Sequence, residues 1–547
     1  GLGPLKSVAI KTTPIADQKP GTSGLRKKTK TFMEGHYLHN FVQSVFDALP
    51  PKDVQGGTLV VSGDGRYFNK DAIQIIIKIG IAAGVERFWI GKDGLLSTPA
   101  VSAVIREREG GSVAFGAFIL SASHNPGGPD EDFGIKYNCE NGGPAPEKVT
   151  NEIFNNTKTI STINMAVDFP IIDVTKTGKT TVSADDGSRA IVLEVFDSTE
   201  DHVALLKKIF DFEAIKKLLA RDDFSLVADS MWGVQGPYAH RVFVQELGAP
   251  VSCLINGTPK EDFNGGHADP NLTYAKELIK IMGVDNKGLP VFGQPREPPA
   301  FGVAWDGDAD RNMILGQRFF VTPSDSLAII AANANLIPFF KKKGGVRGVA
   351  RSMPTSGAVD LVAKKLGIAL FEVPTGWKFF GNLMDSGEVY GKEDYTPFIC
   401  GEESFGTGSN HYGRNYYCRY DYENVDKAGA EAMFAEMTKF DGVVGKELNG
   451  FTIKIADQFE YHDPVDGSVS KNQGVRFIFE DGSRVVFRLS GTGVAGATVR
   501  MYIEKYEAPS GNLAQDAASA LAPLIDVGLQ LSSLEKHTGR KAPTVIT

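Results

Sequence analysis

Short apolar runs closed by small residues recur along the chain. Residues 58–66 (TLVVSGDGR), 225–233 (SLVADSMWG) and 345–357 (GVRGVARSMPTSG) share this form. Each reads as a buried strand opening onto a tight loop. Apolar residues at helical spacing follow, as at 72–83 and 237–247. Alternating strand and helix signals predict α/β layers on largely parallel or mixed sheets. The last part of the chain departs from this rhythm. Residues 473–479, 484–489 and 498–506 alternate apolar and polar positions, with turn residues Asp481-Gly482 and 491–496 between them, and a helix is predicted over 512–535. That pattern is an antiparallel α+β unit. The expected organisation is three similar α/β domains over 1–200, 201–320 and 321–411, then an α+β domain over 412–547. The Pro- and Gly-rich stretch 283–299 reads as an exposed loop within the second domain.

At 547 residues the chain exceeds what one core supports, which agrees with several domains. Hydrophobic residues at 42% and charged residues at 23% are ordinary for a soluble globular protein. The net charge of −8, without basic clusters interleaved with aromatics, argues against a nucleic-acid partner. An anionic substrate would then need locally concentrated positive charge. Cys139, Cys253, Cys400 and Cys418 are scattered, with no CxxC spacing, and read as free thiols of a reducing compartment. The first residues lack an apolar secretory segment and no run reaches the length of a transmembrane helix. The expectation is a cytoplasmic enzyme, with peripheral vesicle association compatible with the composition.

Two motifs carry the chemistry. Ser121-Ala122-Ser123-His124-Asn125-Pro126-Gly127-Gly128 follows the apolar stretch 113–120 and places a serine on a loop at a strand tip. This suits a hydroxyl that accepts and releases a phosphoryl group. Asp306-Gly307-Asp308-Ala309-Asp310-Arg311 alternates carboxylates with small residues, so that three oxygen ligands converge on one hard cation. An EF-hand loop is excluded, because its required glycine and glutamate positions hold Arg311 and Gln317. The arginine beside the carboxylates suits a cation shared with a phosphate.

Two further runs can bind. Cys400-Gly401-Glu402-Glu403-Ser404-Phe405-Gly406 offers carboxylates and a hydroxyl to sugar hydroxyls, with Glu403 either taking part or solvated. Arg488-Leu489-Ser490-Gly491-Thr492-Gly493 combines a guanidinium, hydroxyls and glycine amides in a phosphate nest, and Arg500 adds a second fork. Gly491, Gly493 and Gly496 also match G-x-G-x-x-G, but a dinucleotide fingerprint needs a helix next, and 498–506 alternates like a strand.

SASHNPGG, DGDADRNMILG, CGEESFGTGS and RLSGTG, in that order, resemble the motifs of the eukaryotic α-D-phosphoglucomutases of the phosphohexomutase superfamily. That family includes the exocytosis phosphoprotein parafusin. The resemblance runs from Lys19 to the C-terminus. It implies four domains around a central cleft and interconversion of glucose 1-phosphate and glucose 6-phosphate. Ser123 would carry the phosphate and glucose 1,6-bisphosphate would be the intermediate. Mg²⁺ would be held by Ser123, Asp306, Asp308 and Asp310. Glu402, Ser404, Thr375 and Gly376 would hold the sugar, and Thr22, Ser23 and Arg26 another wall of the cleft. His124 and Lys136 are the acid/base candidates, His124 being equally suited to orienting the loop, and Arg311 would stabilise transition-state charge. The expected partners are small sugar phosphates, and the expected assembly a monomer or weak homodimer.

Three departures qualify the resemblance. Ser121 stands where threonine is usual, keeping the hydroxyl, and Val494 replaces a serine of the phosphate loop. After His411 the family continues with Ile-Arg-Glu-Lys-Asp-Gly and an apolar helix, whereas here Tyr412-Gly413-Arg414-Asn415 follows at once. The gap, on the order of thirty residues, is enough for a helix with its loops. It removes a lysine favoured in the family for proton transfer and a helix expected to cover the third sheet. A bare sheet face is costly, so the expectation is that the segment belongs to the folded protein and is missing only from the numbering. The alternative function is a parafusin-type signalling phosphoprotein with reduced or no turnover.

Overall fold

The strand and helix signals of the first two hundred residues form one seven-stranded mixed sheet. Its order is Leu25–Lys28, Asp132–Cys139, Gly116–Leu120, Thr58–Gly63, Arg87–Gly91, Arg189–Phe196 and Gly178–Ala184. The four strands from Gly116–Leu120 to Arg189–Phe196 run parallel, and the outer ones pair antiparallel. The central strands are buried on both faces, which is why they read as unbroken apolar runs. The computed structural model describes residues 5–21, 23–403, 414–491, 496–513 and 515–547. Their contacts define two units, one made of 1–222, 227–270 and 304–311, the other of 223–226, 271–303 and 312–547.

In the first unit, helices Tyr37–Ala48 and Asn69–Ala83 pack on one face of the sheet. Helix Thr98–Arg106 packs on the other. Ser97 caps that helix by accepting from the Ala100 N–H, with Pro99 in its first turn. Strand Leu226–Asp229 pairs in parallel with Leu254–Ile255. The helix expected over 237–247 is only partly α-helical. It begins as Gln235–Ala239 and continues as a π-helix over His240–Glu246, where the Leu247 N–H reaches back five residues to Val242 O.

In the second unit, Gly348–Ser352 lies between Ala369–Val373 and Phe398–Gly401 in a parallel three-stranded sheet. Val349 and Ile399 pack against Leu327, Val359 and Val362 of two helices, while Ala350 and Cys400 pack with Tyr417, Val486 and Tyr502. Both faces of these strands are therefore covered. The junction at 411–412 lies outside the described residues. A second, seven-stranded sheet has the order Glu447–Leu448, Phe451–Gln458, Val475–Phe479, Arg484–Ser490, Ala497–Glu507, Arg414–Val425 and Val545–Ile546. All of its pairings are antiparallel. A strand, not a helix, follows Gly496. The closing helix is shorter than the apolar pattern suggests. It runs Ala517–Ser532, capped by Asp516 and ended where Ser533 turns left-handed at φ 48°.

Candidate active site

Strand Gly116–Leu120 ends in Ser121 and Ala122, and the chain then turns at Ser123 with φ 55°. That left-handed conformation is uncommon for a non-glycine residue and persists only where neighbours enforce it. The Ser123 N–H donates to Ser121 Oγ at 2.8 Å, and Ser123 Oγ donates to Asp306 Oδ2 at 3.1 Å. Asp306 is in turn oriented by the N–H groups of Asp310 and Arg311, which donate to its Oδ1 at 3.1 and 3.0 Å. The backbone of the aspartate loop comes so close that a Cβ at Gly307 would sit 2.8 Å from Ser123 O and 2.9 Å from the Phe263 ring. Glycine is needed there for approach, not for flexibility.

Asp306, Asp308 and Asp310 bring one carboxylate oxygen each within 4.8 Å of one another. Asp306 and Asp308 are buried and Asp310 is half-buried. Burial and the two neighbouring carboxylates raise the Asp306 carboxyl well above the usual range, and burial with Asp308 raises Asp310. Burial pushes Asp308 the same way, but Lys136 and Thr98 override it and hold the carboxyl below its usual range. Thr98 Oγ1 donates to Asp308 Oδ2 at 2.7 Å and Lys136 Nζ at 3.0 Å. Asp308 Oδ1 and Asp310 Oδ1 are buried without a hydrogen-bond partner. Crowded, partly unsatisfied carboxylate oxygens with nothing softer among them fit a hard divalent cation.

The other candidates of this unit gather around the same loop. Strand Leu25–Lys28 sets Arg26 opposite Gly134, and burial together with Arg311 lowers the Arg26 guanidinium to about 10. Ser23 lies in the turn before that strand. In the same turn Gly24, at φ 87°, packs so closely that a Cβ would lie 2.8 Å from Lys136 Cγ. Thr22 lies outside the described residues. Arg311 Nη1 donates to His124 Nδ1 at 2.7 Å, and the His124 ring stacks on His267.

The second unit holds a separate polar cluster. Glu402 Oε1 accepts from the Gly376 N–H at 2.6 Å, and Arg488 donates to Thr375 Oγ1. Glu403 is buried, not solvated: it accepts from Ser352 Oγ at 3.2 Å and Tyr502 Oη at 3.3 Å. Burial works to raise its carboxyl, but Arg488, Arg419 and Arg500 hold it below the usual range. Ser490 ends strand Arg484–Ser490 and Gly491 follows it. Ser404, Thr492, Gly493 and Val494 lie outside the described residues.

Several members of these clusters escape a reading of motifs. Thr98 opens a helix 210 positions from Asp308, and nothing in its own neighbourhood marks it. Arg419 and Tyr502 sit in strands as ordinary alternating residues. Arg66 and Asp64 close the first strand-and-loop run, a repeat that marks the fold and not a site, so no motif singles them out.

Residues 17–164 match the family described as phosphoglucomutase/phosphomannomutase, alpha/beta/alpha domain I, and residues 323–418 the corresponding domain III. Residues 414–544 match phosphoglucomutase-1, C-terminal domain. The cytoplasmic phosphoglucomutase of Mesembryanthemum crystallinum is 55% identical over 600 aligned residues, covering 100% of both chains. That of Solanum tuberosum is 55% identical, covering 98% of this chain and 99% of the relative. The crystal structure of the exocytosis-sensitive phosphoprotein pp63/parafusin, a phosphoglucomutase from Paramecium, superposes with a TM-score of 0.86 at 45% identity, covering 100% of both chains. With family matches over most of its length and full-length relatives far above chance identity, the chain belongs to the phosphoglucomutase family of isomerases, which interconvert hexose phosphates.

Proposed function

We propose that this chain interconverts glucose 1-phosphate and glucose 6-phosphate with Ser123 as the phosphoryl carrier and glucose 1,6-bisphosphate as the intermediate. The observation that carries this reading is the 3.1 Å bond from Ser123 Oγ to a triad of converging aspartates. Phosphoryl transfer asks for positioning and charge neutralisation more than for a strong nucleophile. Phosphoserine 123 would pass its phosphoryl group to a free sugar hydroxyl: the Ser123 Oγ–P bond breaks, the sugar O–P bond forms, and the hydroxyl's proton ends on Ser123 Oγ. The bisphosphate then returns its other phosphoryl group to the serine, so that phosphate and proton balance over the cycle.

Asp306, Asp308 and Asp310 are the residues suited to holding Mg²⁺, which when bound neutralises charge on the transferring group. Lys136 and Arg26 add fixed positive charge beside the triad, and Arg311 orients His124. Arg488 and Arg500 suit a phosphate group, and Glu402 with Thr375 suits sugar hydroxyls. The relatives' names support a cytoplasmic enzyme. The chain would divide into four domains, at about 200, 320 and 411. The likeness to parafusin favours, as a second reading, a signalling or exocytosis phosphoprotein on the same fold, a role compatible with turnover in one chain.

The test is intact mass before and after incubation with glucose 1,6-bisphosphate. One phosphate is expected on Ser123, with none taken up by Ser123→Ala and no mutase turnover in that variant. Turnover surviving in Ser123→Ala would reject the mechanism.

A further inference from the structure

Arg66 is fully buried, an expensive place for a guanidinium unless every donor is used. Here the donors are used, and almost all on one loop. Nη2 donates to Ser123 O at 3.0 Å, and Nη1 to the carbonyls of Asn125, Pro126 and Asp132 at 3.2, 3.4 and 3.0 Å. Nε and Nη2 form a fork on the buried carboxylate of Asp64, at 3.0 and 2.8 Å to Oδ2. Asp64 Oδ2 also accepts from Ser121 Oγ at 2.8 Å, and that same Oγ accepts the N–H of Ser123. The guanidinium lies 5.1 Å from the centroid of the Phe263 ring, the ring against which Gly307 packs. One connected network thus holds both backbone polar groups of Ser123, the N–H through Ser121 and the carbonyl through Arg66.

We propose that Asp64, Arg66 and Ser121 are positioning residues that clamp Ser123 in its left-handed backbone conformation and so aim its Oγ at the aspartate loop. The inference rests on Ser123 being the phosphoryl carrier. A serine free to relax to negative φ would swing its Oγ away from Asp306. Misplacement of a reacting group by about 1 Å costs on the order of 10²-fold in rate. The buried pair also explains why arginine and not lysine occupies position 66: a single ammonium lacks the fork that spans a carboxylate and four carbonyls. The clamp touches no substrate, so its loss should appear in kcat and not in KM.

The decisive variants are Ser121→Ala, which removes one small hydroxyl from the network, and Ser121→Thr, which retains it. Arg66→Lys serves as a second probe of the same network. Ser121→Ala is expected to lower kcat roughly 10–100-fold with KM within about twofold. The rate of phosphate transfer from glucose 1,6-bisphosphate to Ser123 should fall in parallel, and Ser121→Thr should restore both. Arg66→Lys is expected to lower kcat at least as far, with thermal unfolding used to count the folded fraction. The proposal is overturned if Ser121→Ala keeps its kcat, if KM rises instead, or if Ser121→Thr is as impaired as Ser121→Ala. A parent enzyme that turns over without phosphate ever appearing on Ser123 would sink the carrier reading, and the clamp with it. A parent that is phosphorylated there and matched by Ser121→Ala sinks the clamp alone.

Discussion

The bond from Arg311 to His124 bears on a side chain whose role the motif leaves open. A guanidinium can only donate, so in this contact His124 Nδ1 accepts. A residue held in this way serves first as an acceptor that fixes Arg311. Asparagine places its Oδ1 near the position of Nδ1. His124→Asn is therefore expected to keep kcat within about tenfold of the parent, the scale of one retained hydrogen bond, while His124→Ala loses more. Equal and near-complete loss in both variants, measured by steady-state kinetics, would instead make His124 the proton carrier. At this scale the sequence was most legible where chemistry is contiguous. Ser123 announces itself by the strand-tip loop that bears it, and the three aspartates by an alternation that converges them. Thr98 and Arg66 do not, since their partners lie 210 and 57 positions away and only the folded sheet brings them together.

Elements were legible where burial is simple. Strands Arg484–Ser490 and Ala497–Glu507 extend one residue or less at each end past the stretches predicted for them; Val485, Phe487, Val499, Met501 and Ile503 of one face fill one core, while Val486 and Tyr502 of the other join a second cluster. Helix ends were less legible, since caps decide them: Asp516 starts the closing helix five residues after the apolar pattern does. Two helices also carry histidines whose surroundings the sequence hides. His39 lies in helix Tyr37–Ala48 and His202 in helix Ser198–Ile209, where it meets the Tyr238 ring edge-on. Burial lowers both rings from 6.5 to about 4, helped at His39 by His36. In that interval the unfolded chain binds protons that the folded one refuses, so stability present above pH 6.5 is lost as pH falls toward 4. Between about pH 6.5 and 5 most carboxylates remain ionised, but burial raises Asp325 to about 7 and lowers His267, so the contribution of these two rings is read from the difference between variant and parent. The double variant His39→Gln, His202→Gln is expected to flatten the melting temperature against pH there. A slope equal to the parent's would show that these rings do not govern it.

For the whole molecule, the legible part was the plan of three α/β layers and one α+β unit. The part that motifs could not supply is how a chain of net charge −8 keeps three carboxylates together inside it. Lys136 neutralises Asp308 directly, and Arg26 and Arg311 act on Asp310 through space. These cations do not suffice, because the Asp306 and Asp310 carboxyls remain raised. A carboxyl raised in the folded state costs stability at any pH where the unfolded chain would have it ionised, neutral pH included. Without a divalent ion, then, the native state is strained by its own site. A ligand that binds only the native state stabilises it by about 2.7 kcal/mol at a hundred times its Kd. Two opposite effects of one substitution follow. Asp310→Asn removes a like charge without breaking the Lys136–Asp308 pair, so in chelator it should melt above the parent. With millimolar Mg²⁺ the parent should rise with concentration and the variant should not, so the order reverses. Thermal unfolding across a Mg²⁺ series reads both arms. A variant less stable than the parent in chelator would mean that the arginines already neutralise Asp310. A variant that tracks the parent in Mg²⁺ would mean that Asp310 is not among the residues that hold the ion.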